Sequence, residues 1–326
     1  GWIRTTATGT HAAAVGAGAR AEGDFSAALG PNAVASGEFA AALGPGSHAA
    51  GAQSNAIGLN SEALAEGSLA AGANSVANGV IATAVGFNAN SDGEGALAAG
   101  AYASANGTGS AAIGAGSDAL GEFATANGAN SRAVADRATA LGGTAHADAL
   151  EATATGYASQ ASGEGSAAYG TRSIATGAGG LALGTDASAE GDYASAIGSS
   201  AMARDLGSTA LGSGAFALSQ YTTASGFNAT ASADHATSYG AGSHASGVSS
   251  TALGGYAYIF NGHTGERELL PTLAAGQESA AFGAGAQALQ YGAVAVGASA
   301  YAGGEMSVSV GGSAVGDSGV AIGRNA

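Results

Sequence analysis

The chain has 326 residues, including 59 Gly and three Pro but no Cys, which excludes a collagen triple helix, a disulfide framework and a thiolate metal site. Its 23 acidic residues outweigh eight basic ones, all Arg, for a net charge of −15, so nucleic acid and anionic membranes are poor partners. The apolar fraction of 46%, with small residues recurring at fixed positions, speaks for an ordered fold rather than a Gly-rich linker.

Between positions 9 and 254, every seventh residue is Gly at 30 of 36 places, and the residue two before it is Ala at 34 of 36. The residue immediately before the Gly shows that the true period is fourteen. In one half-repeat it is mostly aliphatic, as at Val15, Leu29, Leu43, Ile57, Val85, Ile113, Leu141, Leu183, Ile197, Leu211 and Leu253; in the other it is mostly polar, as at Thr8, Glu22 and Ser36. A coiled coil would not place Gly at one of its seven positions thirty times, since each interior Gly costs about 1 kcal/mol against Ala.

Five-residue strands joined by two-residue turns fit this pattern. Alternation sets Ser26, Ala28 and Gly30 on one face and Ala27 and Leu29 on the other; residues 33–37 repeat the scheme with Val34 and Ser36 outward. Two such strands per repeat predict one coil of a parallel β-solenoid. Its interior must be thin, because only Ser, Ala and Gly point into it.

Turn chemistry follows the same period. After the aliphatic strands the second turn residue is often Gly or Asn, as at Gly18, Asn32, Gly46, Asn60, Asn74, Asn88, Gly116, Asn130, Gly214, Asn228 and Gly242, types that tolerate a left-handed backbone. The opposite turn often starts with an acid: Asp24, Glu38, Glu66, Glu94, Glu122, Asp136, Glu164, Asp192 and Asp234. That column reads either as a solvated edge or as a row of divalent-cation ligands.

The aliphatic column is the main demand of the sequence. Each such side chain is worth about 1.5–3 kcal/mol when buried, and the thin interior has no room for it. A second copy of the chain must cover it, which predicts an obligate homo-oligomer. Polar pairs Thr125/Asn127, Thr153/Thr155 and Thr223/Ser225 interrupt the column; they read as register marks or as layers holding water or an anion.

The repeat occupies residues 1–254 and breaks at 255–275. There Tyr256, Tyr258 and Phe260 alternate, turn residues follow, and Glu266, Arg267 and Glu268 precede Pro271, predicting a hairpin or short meander. The insertion serves either to clasp a neighbouring subunit or to contact a ligand through Tyr256, Tyr258, Phe260, His263 and Arg267. Over residues 276–326 the repeat resumes with apolar strands that include Val296, Val310 and Ile322.

Motifs for chemistry are few. Without Lys there is no P-loop, the six His have no metal spacing, and a uniform rod offers no cleft to raise a carboxylate pKa. The expectation is a non-enzyme with no cofactor and no metal. No charged-then-apolar leader or long apolar run occurs in the sequence, so no membrane insertion by this stretch is expected, and a secreted protein would be present here as a piece.

The units "SAALG", "SNAIG", "SAAIG", "YASAIG" and "SGVAIG" resemble the head repeats of trimeric autotransporter adhesins, the YadA-like family of Gram-negative surface proteins. The resemblance spans nearly the whole chain. It implies an all-β, left-handed parallel β-roll assembled as a homotrimer, with Val15, Leu29, Leu43, Ile57, Val85, Ile113, Leu141, Leu183, Ile197, Leu211, Leu253, Val296, Val310 and Ile322 forming the trimer core. It further implies a cell-surface location and attachment to host extracellular matrix, to cells or to like adhesins on sister cells, with autoaggregation or biofilm formation as outcomes. A rigid spacer that holds a separate tip is the alternative. The family motif Asn-Ser-Val-Ala-Ile-Gly is not intact, the nearest pieces being "QSNAIG" at 53–58 and "NSVANG" at 74–79, so the collagen binding associated with it in some members is not carried to this chain. No neck, coiled-coil stalk or membrane anchor is recognisable, so only head is expected.

Overall fold

The computed structural model describes residues 4–260 and 267–323. The chain divides into two compact units, Gly1–Ser162 and Gly163–Ala326, and the described residues form strands and turns with no helix. No helix long and apolar enough to cross a membrane is therefore present among them.

The first unit is a parallel β-solenoid. Three-residue strands such as Ala13–Val15, Ala27–Leu29 and Ala41–Leu43 stack into one parallel sheet, and two-residue strands such as Arg20–Ala21, Val34–Ala35 and His48–Ala49 stack into another. The register is the fourteen-residue period itself: Leu29 pairs with Leu43 and Val34 with His48. Backbone bonds continue through the turns, as in Asn32 N–H to the Ala17 carbonyl and Phe39 N–H to the Asp24 carbonyl, each 2.9 Å.

The second unit repeats this arrangement, with Leu181–Leu183 paired to Ser195–Ile197 and Ile174–Ala175 to Ser188–Ala189. Both of its sheets run straight past the insertion. His244 pairs with Leu273 and Thr251 with Ala280, so each sheet skips 29 residues where a coil normally takes fourteen. The skipped stretch holds the one antiparallel pairing among the described residues, Ala257–Phe260 against Arg267–Leu270.

The core is made of very small side chains. Ser26, Ala28, Ala33 and Ala35 are buried as strand alternation requires, and nothing larger than Thr is fully buried among the described residues. The two sheets therefore approach closely, and glycine is favoured where successive coils touch. At Gly30 the backbone has φ +136°, and a Cβ would stand 2.7 Å from the Gly44 carbonyl oxygen. At Gly37 the backbone is ordinary, but a Cβ would overlap the Gly51 carbonyl.

Candidate functional site

The last residue of each three-residue strand points out of the solenoid, and parallel pairing puts these residues on adjacent rungs. In the first unit Val15, Leu29, Leu43, Ile57, Val85, Ile113 and Leu141 are all exposed, from 60% at Val15 to 36% at Leu43. In the second, Leu183, Leu211, Leu253, Val296, Val310 and Ile322 are exposed and Ile197 is half-buried. Asn127 sits between Ile113 and Leu141, and Ser225 between Leu211 and Tyr239. An aliphatic row of this length is more than the scattered apolar residues of an ordinary surface.

The opposite sheet shows a different face. Arg20, Glu62 and Arg132 are exposed there, with His48, Asn90 and His146 half-buried. Ion pairs cross it, Arg20 to Glu22 at 2.7 Å and Arg132 to Asp148 at 3.8 Å; such solvated pairs contribute at most about 1 kcal/mol. The outward column of one sheet is thus largely aliphatic and that of the other mostly polar, with Val34, Val76, Ile174 and Phe216 among the apolar exceptions.

The acidic turn has a structural task. Asp24 Oδ1 accepts the Thr10 backbone N–H of the preceding coil at 2.7 Å, and Asp136, Asp192 and Asp317 accept those of Glu122, Ala178 and Glu305 at 2.9–3.0 Å. The backbone bond from Thr10 holds the Asp24 carboxyl below the ordinary aspartate value of 3.8. Among the described residues no group of three or more His, Asp and Glu is placed to hold a metal ion.

Left-handed backbone occurs at both turns. The expected positions adopt it, as in Asn32 at φ 55° and Gly46 at φ 66°. The second residue of the acidic turn does so too, including Phe25, Phe39, Ile81, Phe123, Tyr193 and Tyr221 at φ 52–57°. Sequence reasoning missed this column, because bulky and β-branched residues are poor left-handed candidates. The available signal was the position itself, which Gly occupies at 67, 95, 109, 165, 179 and 207. Rings at these turns rest on neighbouring coils: His11, Phe25 and Phe39 stack at 5.1 and 5.0 Å, and Phe123 and Tyr193 lie over Gly109 and Gly179.

The insertion is pinned at its base. Thr272, fully buried, shares its one hydroxyl proton between the carbonyls of Gly255 (2.8 Å) and Gly283 (2.7 Å) and accepts the Gly285 N–H at 3.2 Å. Tyr256 lies over Gly242, and Ala257 and Leu270 over Gly285. Beyond this base Tyr258 pairs with Leu269 across the hairpin, exposed by 72% and 53%. Arg267 is exposed opposite Phe260 in the register, while His263 and the Phe260 side chain lie outside the described residues. The structure therefore brings Tyr258, Leu269 and Arg267 onto one hairpin.

Comparison with known proteins accounts for the repeat. The family model described as the YadA head domain repeat matches again and again, at residues 7–33, 35–61, 63–89, 77–103, 91–117, 119–145, 133–157, 147–173, 175–201, 191–215, 206–229, 217–243, 231–257 and 274–300. The crystal structure of the collagen-binding domain of the Yersinia adhesin YadA is similar at 22% identity, covering 51% of this chain and 69% of that one, with a TM-score of 0.26. No curated sequence matches.

Proposed function

The chain belongs to the YadA head domain repeat family, and from that premise we propose that it is the head of a homotrimeric bacterial surface adhesin. The observation that carries the proposal is the largely aliphatic outward column of one sheet, exposed in the single chain while the outward column of the other sheet is mostly polar. Left in water it would forgo about 1.5–3 kcal/mol per side chain. Three copies packed around an axis cover it and leave the polar sheets facing outward.

Attachment then proceeds without chemistry. A displayed surface repeated on three chains gains strength by avidity, each contact being weak. The targets are extracellular-matrix or cell-surface molecules, or like heads on sister cells. The hairpin supplies a contact surface through Tyr256, Tyr258, Phe260, His263 and Arg267, since exposed aromatic and Arg side chains make effective interface anchors. The insertion of residues 255–275 between head repeats is a feature that a plain spacer does not need.

The test is retention of the purified chain on immobilised collagens, fibronectin, laminin and whole epithelial cells, with Tyr258→Ser/Arg267→Ser as the hairpin variant. Saturable retention that the double variant weakens supports the reading. Retention on none of these surfaces would leave the spacer as the function.

A further inference from the structure

The polar sheet of the first unit carries a lattice of side-chain hydrogen bonds, and two exposed rings stand in the turns that lead into its strands. Strands Val76–Ala77, Asn90–Ser91 and Ser104–Ala105 pair in parallel register, which sets Asn78, Asn90, Asp92, Ser104 and Asn106 side by side on the outward face. Their side chains fix one another. Asn78 Nδ2 donates to Asp92 Oδ1 at 2.6 Å, and Asn90 Nδ2 to Asp92 Oδ2 at 2.8 Å and to Asn106 Oδ1 at 3.5 Å. Ser104 Oγ also donates to Asn106 Oδ1, at 3.0 Å.

Phe87 and Tyr102 stand in the turns that lead into Asn90–Ser91 and Ser104–Ala105. Their ring centroids are 5.4 Å apart and the planes meet at 81°, while both side chains stay exposed, by 45% and 60%. Tyr102 holds φ 61°, a conformation Gly would adopt without strain, so its ring is kept at a place where local backbone preference favours none.

We propose that this patch binds a neutral saccharide. A sugar ring has an apolar C–H face and a rim of hydroxyls that both donate and accept. An open aromatic face suits the first, and fixed amides and a carboxylate suit the second. Asp92 and Asn106 have already been oriented by their neighbours yet keep lone pairs and an amide N–H for a ligand, so little ordering is left to be done on binding. Charge selects among glycans: residues 73–106 contain no Lys, Arg or His, and Asp92 repels sulfates and uronates. The site lies in the first unit and the hairpin in the second.

The experiment is an array of immobilised lactose, N-acetyllactosamine, maltotriose and triacetylchitotriose, with heparin and unglycosylated gelatin peptides alongside, probed with the purified chain. Retention on a neutral saccharide is expected, falling about tenfold for Tyr102→Gly and for Asn106→Ala, a change of about 1.4 kcal/mol. Tyr102→Gly should keep the thermal midpoint, because Gly suits the left-handed backbone, and Phe123→Gly, the same change on the opposite edge, should leave retention unchanged. Absence of binding to every neutral saccharide, binding to heparin or peptides alone, or equal binding by the Tyr102→Gly variant would each overturn the proposal.

Discussion

Single residues explain why the repeat is strict in one column and lax in another. The Gly that closes each aliphatic strand never varies from position 16 to position 254, and φ there lies between 119° and 156°, a region open in practice to Gly alone. All six exceptions, Ala65, Ala135, Ala149, Asp205, Ser219 and Ala233, fall in the other column, where only a neighbouring carbonyl has to shift. Gly30→Ala should therefore cost about 1–3 kcal/mol in urea unfolding, and Gly37→Ala less; the reverse order would refute this account. The Asp24 clip to Thr10 has a defined pH signature. Its folded-state pKa lies below 3.8, so its stabilisation is complete above that value and is lost as pH falls through the depressed one. The gap in thermal midpoint between wild type and Asp24→Ala should be constant near neutrality and shrink below pH 3.8.

At the scale of elements, the hairpin depends on one buried hydroxyl. Thr272→Val removes the hydroxyl shared by Gly255, Gly283 and Gly285, while Gly285 N–H still reaches the Gly255 carbonyl and Ala286 N–H the Gly283 carbonyl, a loss of about 0.5–1.5 kcal/mol. Amide exchange across Ala257–Phe260 and Arg267–Leu270 should accelerate while Ala27–Leu29, in the other unit, stays protected; uniform acceleration would mean the base is not a local anchor. The coil was readable in the sequence because periods of two and fourteen fix which side chains point inward: Ala28 is buried and Leu29 is not, as alternation demands. Asn and Gly likewise marked one turn. Phe25, Ile81 and Tyr193 concealed the other, since their preference for ordinary backbone is overridden by the pairing of adjacent coils. The functional patches were less legible. Asn90 and Asp92 lie two apart in sequence, but Asn78 and Asn106 reach them only through the stacking of coils, and Thr272 shows its role only once Gly255 and Gly283 are brought beside it.

At the scale of the whole molecule, the aliphatic column and the net charge of −15 act in opposite senses. Charge keeps chains apart in solution, and burial of the column must exceed that repulsion. Replacing Leu29 and Leu43 together by Asp puts two charges into the column that the proposed assembly buries, and each uncompensated buried charge costs several kcal/mol. The double variant should sediment as smaller species than wild type or lose cooperative unfolding, whereas unchanged assembly would place the interface elsewhere. The central claim is that copies of this chain cover one another's aliphatic sheet, and the native mass by multi-angle light scattering tests it most directly. The account predicts three times the 30.1 kDa chain mass, independent of dilution over the micromolar range. A stable species of 30.1 kDa would contradict it.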